Sequence, residues 1–430
     1  MKTVLLLGGF MPGQSLWSIE RGFAHLGYRV HYLPTRGCIA AHRGQDALLA
    51  REEADVIPGP DAWPLPHATA AEFEDALCAA IEQYRPVLLL WWFSKDDRPP
   101  GLVAHLREQY PWCKTVTHTQ DDPWDLRRHP EYAREFEYAV TCCRESVAEY
   151  ASHGIKAIVL YPPPAISLHG VARPAPGEAC DFSLTILSNY ARAGGEAEAY
   201  LQSPEPVDRI THPISFPEQR LLRAEVVVAL RDLGRMHIYG GLGHGTFADI
   251  PRSAYRGFRT YGELPGVYAA AKININHHNS PASRGYLNQR DTAITGSGGF
   301  MLTDYVEGIE EVFEIGTEID TWTTREELVD KARWWLAHDE ERTCAGRRAQ
   351  ERILREYGNV QYPQKLLTFY SGGIKWTISP RWWISQDRWS LSPAPAGALG
   401  GQLRWFLRGR GLGWRWRRGR QSGWRSWPGR

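Results

Sequence analysis

The chain has 430 residues, 43% hydrophobic and 23% charged, with 50 basic against 49 acidic side chains. Such a composition excludes wholesale disorder, a collagen-like repeat and a polytopic membrane protein, and the length suits two or three domains, each with its own core. The net charge of +1 joins unlike parts: from Arg388 onward there are ten arginines and no acids, so residues 1–387 carry −9 and the tail +10.

The first apolar run, Val4 to Leu7, is short, ends in glycines and meets Pro12, Glu20 and Arg21. It suits a buried first strand rather than a signal peptide. Further strands are expected at 30–33, 87–93, 115–119, 139–142 and 157–160, with helices at 16–26, 70–84 and 145–153 between them. Runs such as Leu88-Leu89-Leu90-Trp91-Trp92 are apolar without alternation, as in a parallel sheet covered on both faces. The alternation breaks at Tyr161-Pro162-Pro163-Pro164, where consecutive prolines stop regular structure. A second series follows: strands at 182–187, 236–239, 272–276 and 300–303, and helices at 217–233, after 262, at 325–338 and at 339–357. The expected class is therefore α/β, with two Rossmann-like domains facing across a cleft. The first domain spans 1–163 and the second 181–357, joined by a linker and hinge around 164–180. Residues 358–430 form an extension that turns basic and Trp-rich after 388 and is expected to be disordered.

Seven scattered cysteines without C-x-x-C fit a reducing cytoplasm, and no run reaches the ~18 apolar residues that span a bilayer. Half of the 18 tryptophans follow residue 370. Arginine interleaved with tryptophan, as in Arg415-Trp416-Arg417-Arg418, suits peripheral docking on an anionic membrane at its inner face. Single-strand nucleic acid is the less favoured partner, and a disordered or fortuitous extension is weighed above both.

In open α/β sheets ligands gather at the carboxyl ends of strands. After the first strand, Gly8, Gly9 and Gly13 would bring backbone N–H groups to an anion at a helix start. After 115–119 come His118, Asp121 and Asp122. Neighbouring carboxylates repel and raise one pKa, which suits a general base with His118 beside it. In the second half the strand at 272–276 runs into His277, His278 and Asn279. On an extended chain the two histidines face opposite sides, so one contacts a ligand while the other packs, and no metal pair is expected. Gly298 and Gly299 would let the backbone approach a diphosphate, with Arg220 and Arg290 as phosphate donors. Glu310 and Glu311 would start a helix and accept from sugar or ribose hydroxyls. No Asp-x-Asp occurs, and neither metal nor cofactor is expected beyond a nucleotide-sugar substrate.

The segment Ala271-Lys272-Ile273-Asn274-Ile275-Asn276, then Gly298-Gly299-Phe300-Met301-Leu302-Thr303-Asp304, then Glu310 to Glu318, resembles the C-terminal domain of the CgeB-like (spore maturation protein) glycosyltransferases. Asp121-Asp122-Pro123 resembles a loop of that family's N-terminal domain. The resemblance implies the GT-B fold and transfer of a sugar from a nucleotide donor, held by the second half, to an unidentified acceptor on the first, a cell-envelope or spore glycan among the options. It implies no metal, since helix N-termini and arginines stabilise the leaving diphosphate. The family commonly has Arg-x-x-Glu before the glycines, whereas here Arg290 is followed by Asp291, Thr292 and Ala293, placing Ala293 where the acid stands. Asp291 takes over from a shifted register, or donor recognition differs, or activity is lost. An epimerase on the same fold and a degenerate sugar-nucleotide-binding protein are the alternatives.

Overall fold

The computed structural model describes residues 1–8, 15–34, 70–92, 100–128, 130–164, 172–186, 223–240, 252–257, 259, 262–278 and 282–371. All of them belong to one unit, Met1–Ser379. The basic tail proposed for membrane docking lies outside the described residues.

The first half alternates β1 (Thr3–Gly8), α1 (Ser15–His25), β2 (Arg29–Pro34), α2 (Ala70–Tyr84), β3 (Leu88–Trp92), α3 (Leu102–Gln109) and β4 (Lys114–Thr119). It continues through α4 (Trp124–Arg128), α5 (Pro130–Arg134), β5 (Tyr138–Thr141), α6 (Arg144–Ser152) and β6 (Lys156–Val159). Its six strands are parallel in the order β2-β1-β3-β4-β5-β6. Every residue of β1 and β3 is buried, which is why their sequences are continuously apolar. One face packs Val4, Leu6, Leu88 and Leu90 on Leu16, Ile19 and Phe23 of α1. The other packs Leu5, Leu7, Leu89 and Trp91 on Phe73, Leu77 and Ile81 of α2 and on Leu102, Val103 and Leu106 of α3.

The second half has β7 (Cys180–Ile186), α7 (Arg223–Leu230), β8 (Met236–Gly240), β9 (Tyr255–Gly257), α8 (Leu264–Ala270), β10 (Ala271–Asn276) and α9 (Gln289–Gly296). Then come β11 (Met301–Asp304), β12 (Asp320–Trp322), α10 (Arg325–Ala337), α11 (Asp339–Glu356) and α12 (Gln361–Tyr370). Its strands are parallel in the order β12-β11-β10-β7-β8-β9. The strand order reverses between β1 and β3 in one sheet and between β7 and β10 in the other, which marks where a ligand crevice opens.

One expectation changes. The chain beyond 357 is not all extension, because α12 returns to the first half, where Tyr362, Leu366 and Leu367 complete its core beside α1. The spacing Tyr362, Leu366, Tyr370 is helical, and Pro363 falls in the first turn, where it is tolerated. The proline run Pro162–Pro164 is buried and held by hydrogen bonds from both halves. The carbonyl of Pro162 accepts from Thr292 (2.6 Å), that of Pro163 from Ser15 (2.9 Å) and that of Pro164 from Ser18 (2.8 Å).

The return of α12 leaves no room on α1: a Cβ at Gly22 would lie 1.8 Å from the carbonyl oxygen of Asn359. Gly22→Ala should therefore destabilise the protein by about 1–3 kcal/mol despite alanine's better helix propensity. A thermal melt checks this, with a lowered transition expected.

Candidate functional site

At the carboxyl ends of β10 and β11 the chain assembles a buried ionic array. β10 delivers Asn276 and, just past it, His277 and His278, while β11 ends on Asp304. The helix α9 starts from Asn288 with a capping box: the Asn288 side chain accepts from Arg290 N (2.8 Å), and Asp291 reaches back to Asn288 N (2.7 Å). His278 lies between the two acids, with Nδ1 2.8 Å from Asp304 Oδ1 and Nε2 3.0 and 3.1 Å from the Asp291 oxygens. Asn276 Nδ2 donates to Asp291 Oδ1 (2.9 Å). His278 and Asp291 are wholly buried. Burial disfavours a charged imidazole, but the Asp291 and Asp304 carboxylates outweigh it and raise the pKa of His278 to about 9. His277 turns the other way, its ring 6.1 Å from that of Trp322, as the strand geometry requires. Arg290 is nearly buried, its Nε donating to Asn276 Oδ1 (2.9 Å) and Nη2 to the His277 carbonyl (2.8 Å).

In the first half, β4 ends on Thr119 and leads to Asp121 and Asp122, which the structure separates. Asp122 is fully buried, and its Oδ2 accepts from Thr119 (2.5 Å) and Tyr150 (3.0 Å). Its pKa is raised by burial, against those hydrogen bonds, rather than by its acidic neighbour. Asp121 is partly exposed and faces the second half, where the Tyr286 hydroxyl approaches its Oδ1 at 3.5 Å. The expected partnership with His118 does not form. His118 is fully enclosed, stacked on Trp92 with 4.0 Å between ring centroids, and its Nδ1 pairs with the Tyr362 hydroxyl at 2.5 Å. Burial pushes its pKa down to about 3, so at neutral pH the ring is uncharged.

The halves meet along the strap 283–288. Leu287 N donates to the Cys142 carbonyl (3.1 Å), while Arg144 N and Glu145 N, at the start of α6, donate to the carbonyls of Gly285 (3.4 Å) and Arg284 (3.2 Å). Arg144 pairs with Glu311 at 2.6 Å. Tyr286 is buried in the strap, its ring edge-on to His278 at 6.0 Å, so one side chain touches both the array and Asp121.

Several expected site residues fall elsewhere. Gly298 and Gly299 precede β11 and sit at the amino end of the sheet, away from the crevice. A Cβ at Gly299 would lie 2.5 Å from Asn274 Nδ2, so its smallness serves packing. Glu310 and Glu311 are exposed on a 3-10 turn, Ile309–Glu311, in the chain that leaves β11, and Glu311 pairs with Arg144. Ala293 lies in the core and Asp291 is the acid beside the array. Gly9, Arg220 and Asn279 lie outside the described residues. Asn276, Tyr286 and Asp304 were missed. Asp304 and Asn276 had a signal, since each is a polar residue at the carboxyl end of a strand. Among the described residues no group of His, Cys, Asp or Glu is arranged to hold a metal, and no helix is long and apolar enough to cross a membrane.

Residues 220–368 match the family model described as glycosyl transferase-like. Two parallel-sheet halves in this arrangement are the GT-B fold, shared with sucrose-phosphate synthase from Thermosynechococcus elongatus at a TM-score of 0.54 and 12% identity over 86% of this chain and 100% of that one. Anabaena HepE, solved in complex with UDP-glucose, is similar at a TM-score of 0.51 and 12% identity over the same shares. No protein of curated function matches the chain significantly in sequence.

The two buried histidines should produce opposite pH limbs. His118 binds no proton when folded but does when unfolded, between its folded value of about 3 and an unfolded value of about 6.5, so its contribution is lost as pH falls through that window. His278 is held above its unfolded value, so its contribution is full below about 6.5 and lost as pH rises towards 9. Thermal melts from pH 4 to 9 should show a shallower acid limb in His118→Phe and a shallower alkaline limb in His278→Gln.

Proposed function

We propose that the chain is a glycosyltransferase that takes a nucleotide sugar on its second half and passes the sugar to an acceptor held against the first. The observation that carries this reading is the coincidence of the glycosyl transferase-like match over 220–368 with a built polar array at the carboxyl ends of β10 and β11. That is the end where this fold class places ligands. Arg220, Asn279 and Arg290 are assigned to the donor side. The charge of the leaving diphosphate is met by protein donors, without a metal. The narrower CgeB-like assignment rests on the sequence motifs of β10, β11 and the Asp121 loop.

Of the three groups considered for acid–base work, Asp121 is the one that the geometry supports. It is partly exposed and lies on the seam, whereas Asp122 is enclosed with its hydrogen bonds made internally and His118 is enclosed and neutral. In an inverting reaction the acceptor hydroxyl gives its proton to Asp121 as the sugar carbon is attacked and the nucleotide diphosphate leaves.

A thermal-shift screen of nucleoside diphosphate sugars should find at least one that stabilises the protein by mass action. With that donor and an acceptor, free nucleotide should accumulate. An isomerised sugar nucleotide without nucleotide release would instead establish the epimerase. Asp121→Asn should lower turnover about 10²–10⁴-fold with donor affinity kept, the range expected for a lost general base. Asp122→Asn should mainly lower the melting temperature, by weakening the hydrogen bonds to Thr119 and Tyr150.

A further inference from the structure

Asp291 is an enclosed acid already held by three donors. An ionised carboxylate offers about four lone-pair positions. Here Oδ1 faces Asn276 Nδ2 (2.9 Å), Oδ2 faces Asn288 N (2.7 Å), and the single N–H on His278 Nε2 lies between the two oxygens at 3.1 and 3.0 Å. A sugar hydroxyl would have to enter among these donors in a site with no solvent contact. Displacing Asn288 N would also open the capping box of α9.

His278 is constrained just as tightly. Both ring nitrogens point at carboxylate oxygens, Nδ1 at Asp304 and Nε2 at Asp291. A neutral imidazole carries a single N–H, so one contact would set a lone pair against a carboxylate, and only the imidazolium donates in both directions. Among the described residues, the groups facing it include Asp291 from α9, Asp304 and Thr303 from β11, and Tyr286 from the strap. Arg290 holds the carbonyl of His277 next to it.

We propose that His278 is a positioning residue, a charged clamp that fastens the exit of β10 to the start of α9 and the end of β11, and that Asp291 serves this clamp without touching the donor. The donor side of the proposal rests on the glycosyltransferase reading, whereas the clamp itself does not. Its chemical consequence is that no carboxylate from the first turn of α9 is offered to the sugar hydroxyls, which must be recognised by other groups.

The full-length protein labelled with ¹⁵N-histidine tests both parts. At pH 8 one histidine should show two ring N–H signals, lost in His278→Gln, and Asp291→Asn or Asp304→Asn should lower its titration midpoint by about one unit or more. A neutral ring at pH 8 in the wild type, or an unmoved midpoint in these variants, overturns the clamp. The wild-type titration decides the first point even where a variant fails to fold. With the nucleotide sugar that stabilises the wild type, Asp291→Asn should bind almost normally at pH 6 and about tenfold more weakly at pH 8, as the ring loses its charge. An equal loss at both pH values marks a direct donor ligand and overturns the positioning role. If no nucleotide sugar stabilises the wild type, the glycosyltransferase reading fails while the titration still decides the clamp.

Discussion

The arrangement of this site depends on a close backbone approach between the halves. Gly285 has a φ of +67°, and a Cβ there would lie 2.6 Å from the Cβ of Arg144. Only glycine combines that conformation with that approach. With Gly285 in place, the first N–H groups of α6 find carbonyls in the strap instead of a side-chain cap, and Leu287 bonds to the end of β5. The strap is thereby fixed at both ends, and its last residue is Asn288, which caps α9. Tyr286 is carried into the seam and Asp291 into the array by the same short segment. Gly285 thus stands next to Tyr286, which approaches Asp121, and three residues before Asn288, which Asp291 caps.

The two enclosed histidines show how burial alone does not set a charge state. Removing an imidazole from water disfavours its protonated form in both places. At His118 the surroundings are Trp92 and a tyrosine hydroxyl, with nothing to repay the lost hydration, so the ring is neutral. At His278 two carboxylates supply the compensation, and each of them would itself be costly to bury without the ring between them. The array is therefore mutually dependent: any one member left alone would be an uncompensated buried charge. Such a unit tolerates removal of a partner poorly, which suits a framework for a site better than an exchangeable ligand contact.

The regular framework was legible because parallel strands buried on both faces write themselves as continuous apolar runs. The helix at 70–84 was placed on the observed residues, and the strands at 115–119 and 272–276 fell within one residue of the observed limits. Short elements were not legible. The strands β9 and β12 are three residues each, too few to show a period, and the latter contains Asp320 bonded to Lys331 and Trp335. The helix α12 was absorbed into the tail because its apolar spacing stands directly beside a segment without periodicity. Its destination is a long-range fact: Tyr362 packs against residues more than two hundred positions earlier.

Function was read least well where direction mattered more than composition. Glycines before a strand and glycines after it look alike in sequence, yet a parallel sheet gathers its ligands at the carboxyl ends, so Gly298 and Gly299 fall on the side where they can only pack. The same holds for the acid of α9. Consecutive helical residues turn by about 100°, so positions 291 and 293 lie about 200° apart around the axis. Position 291 faces the ends of β10 and β11, and position 293 faces the core with Ile294 and Tyr286. The carboxylate at 291 lies on the opposite side of the helix from Ala293, and the partners already surrounding it fix what that charge can do.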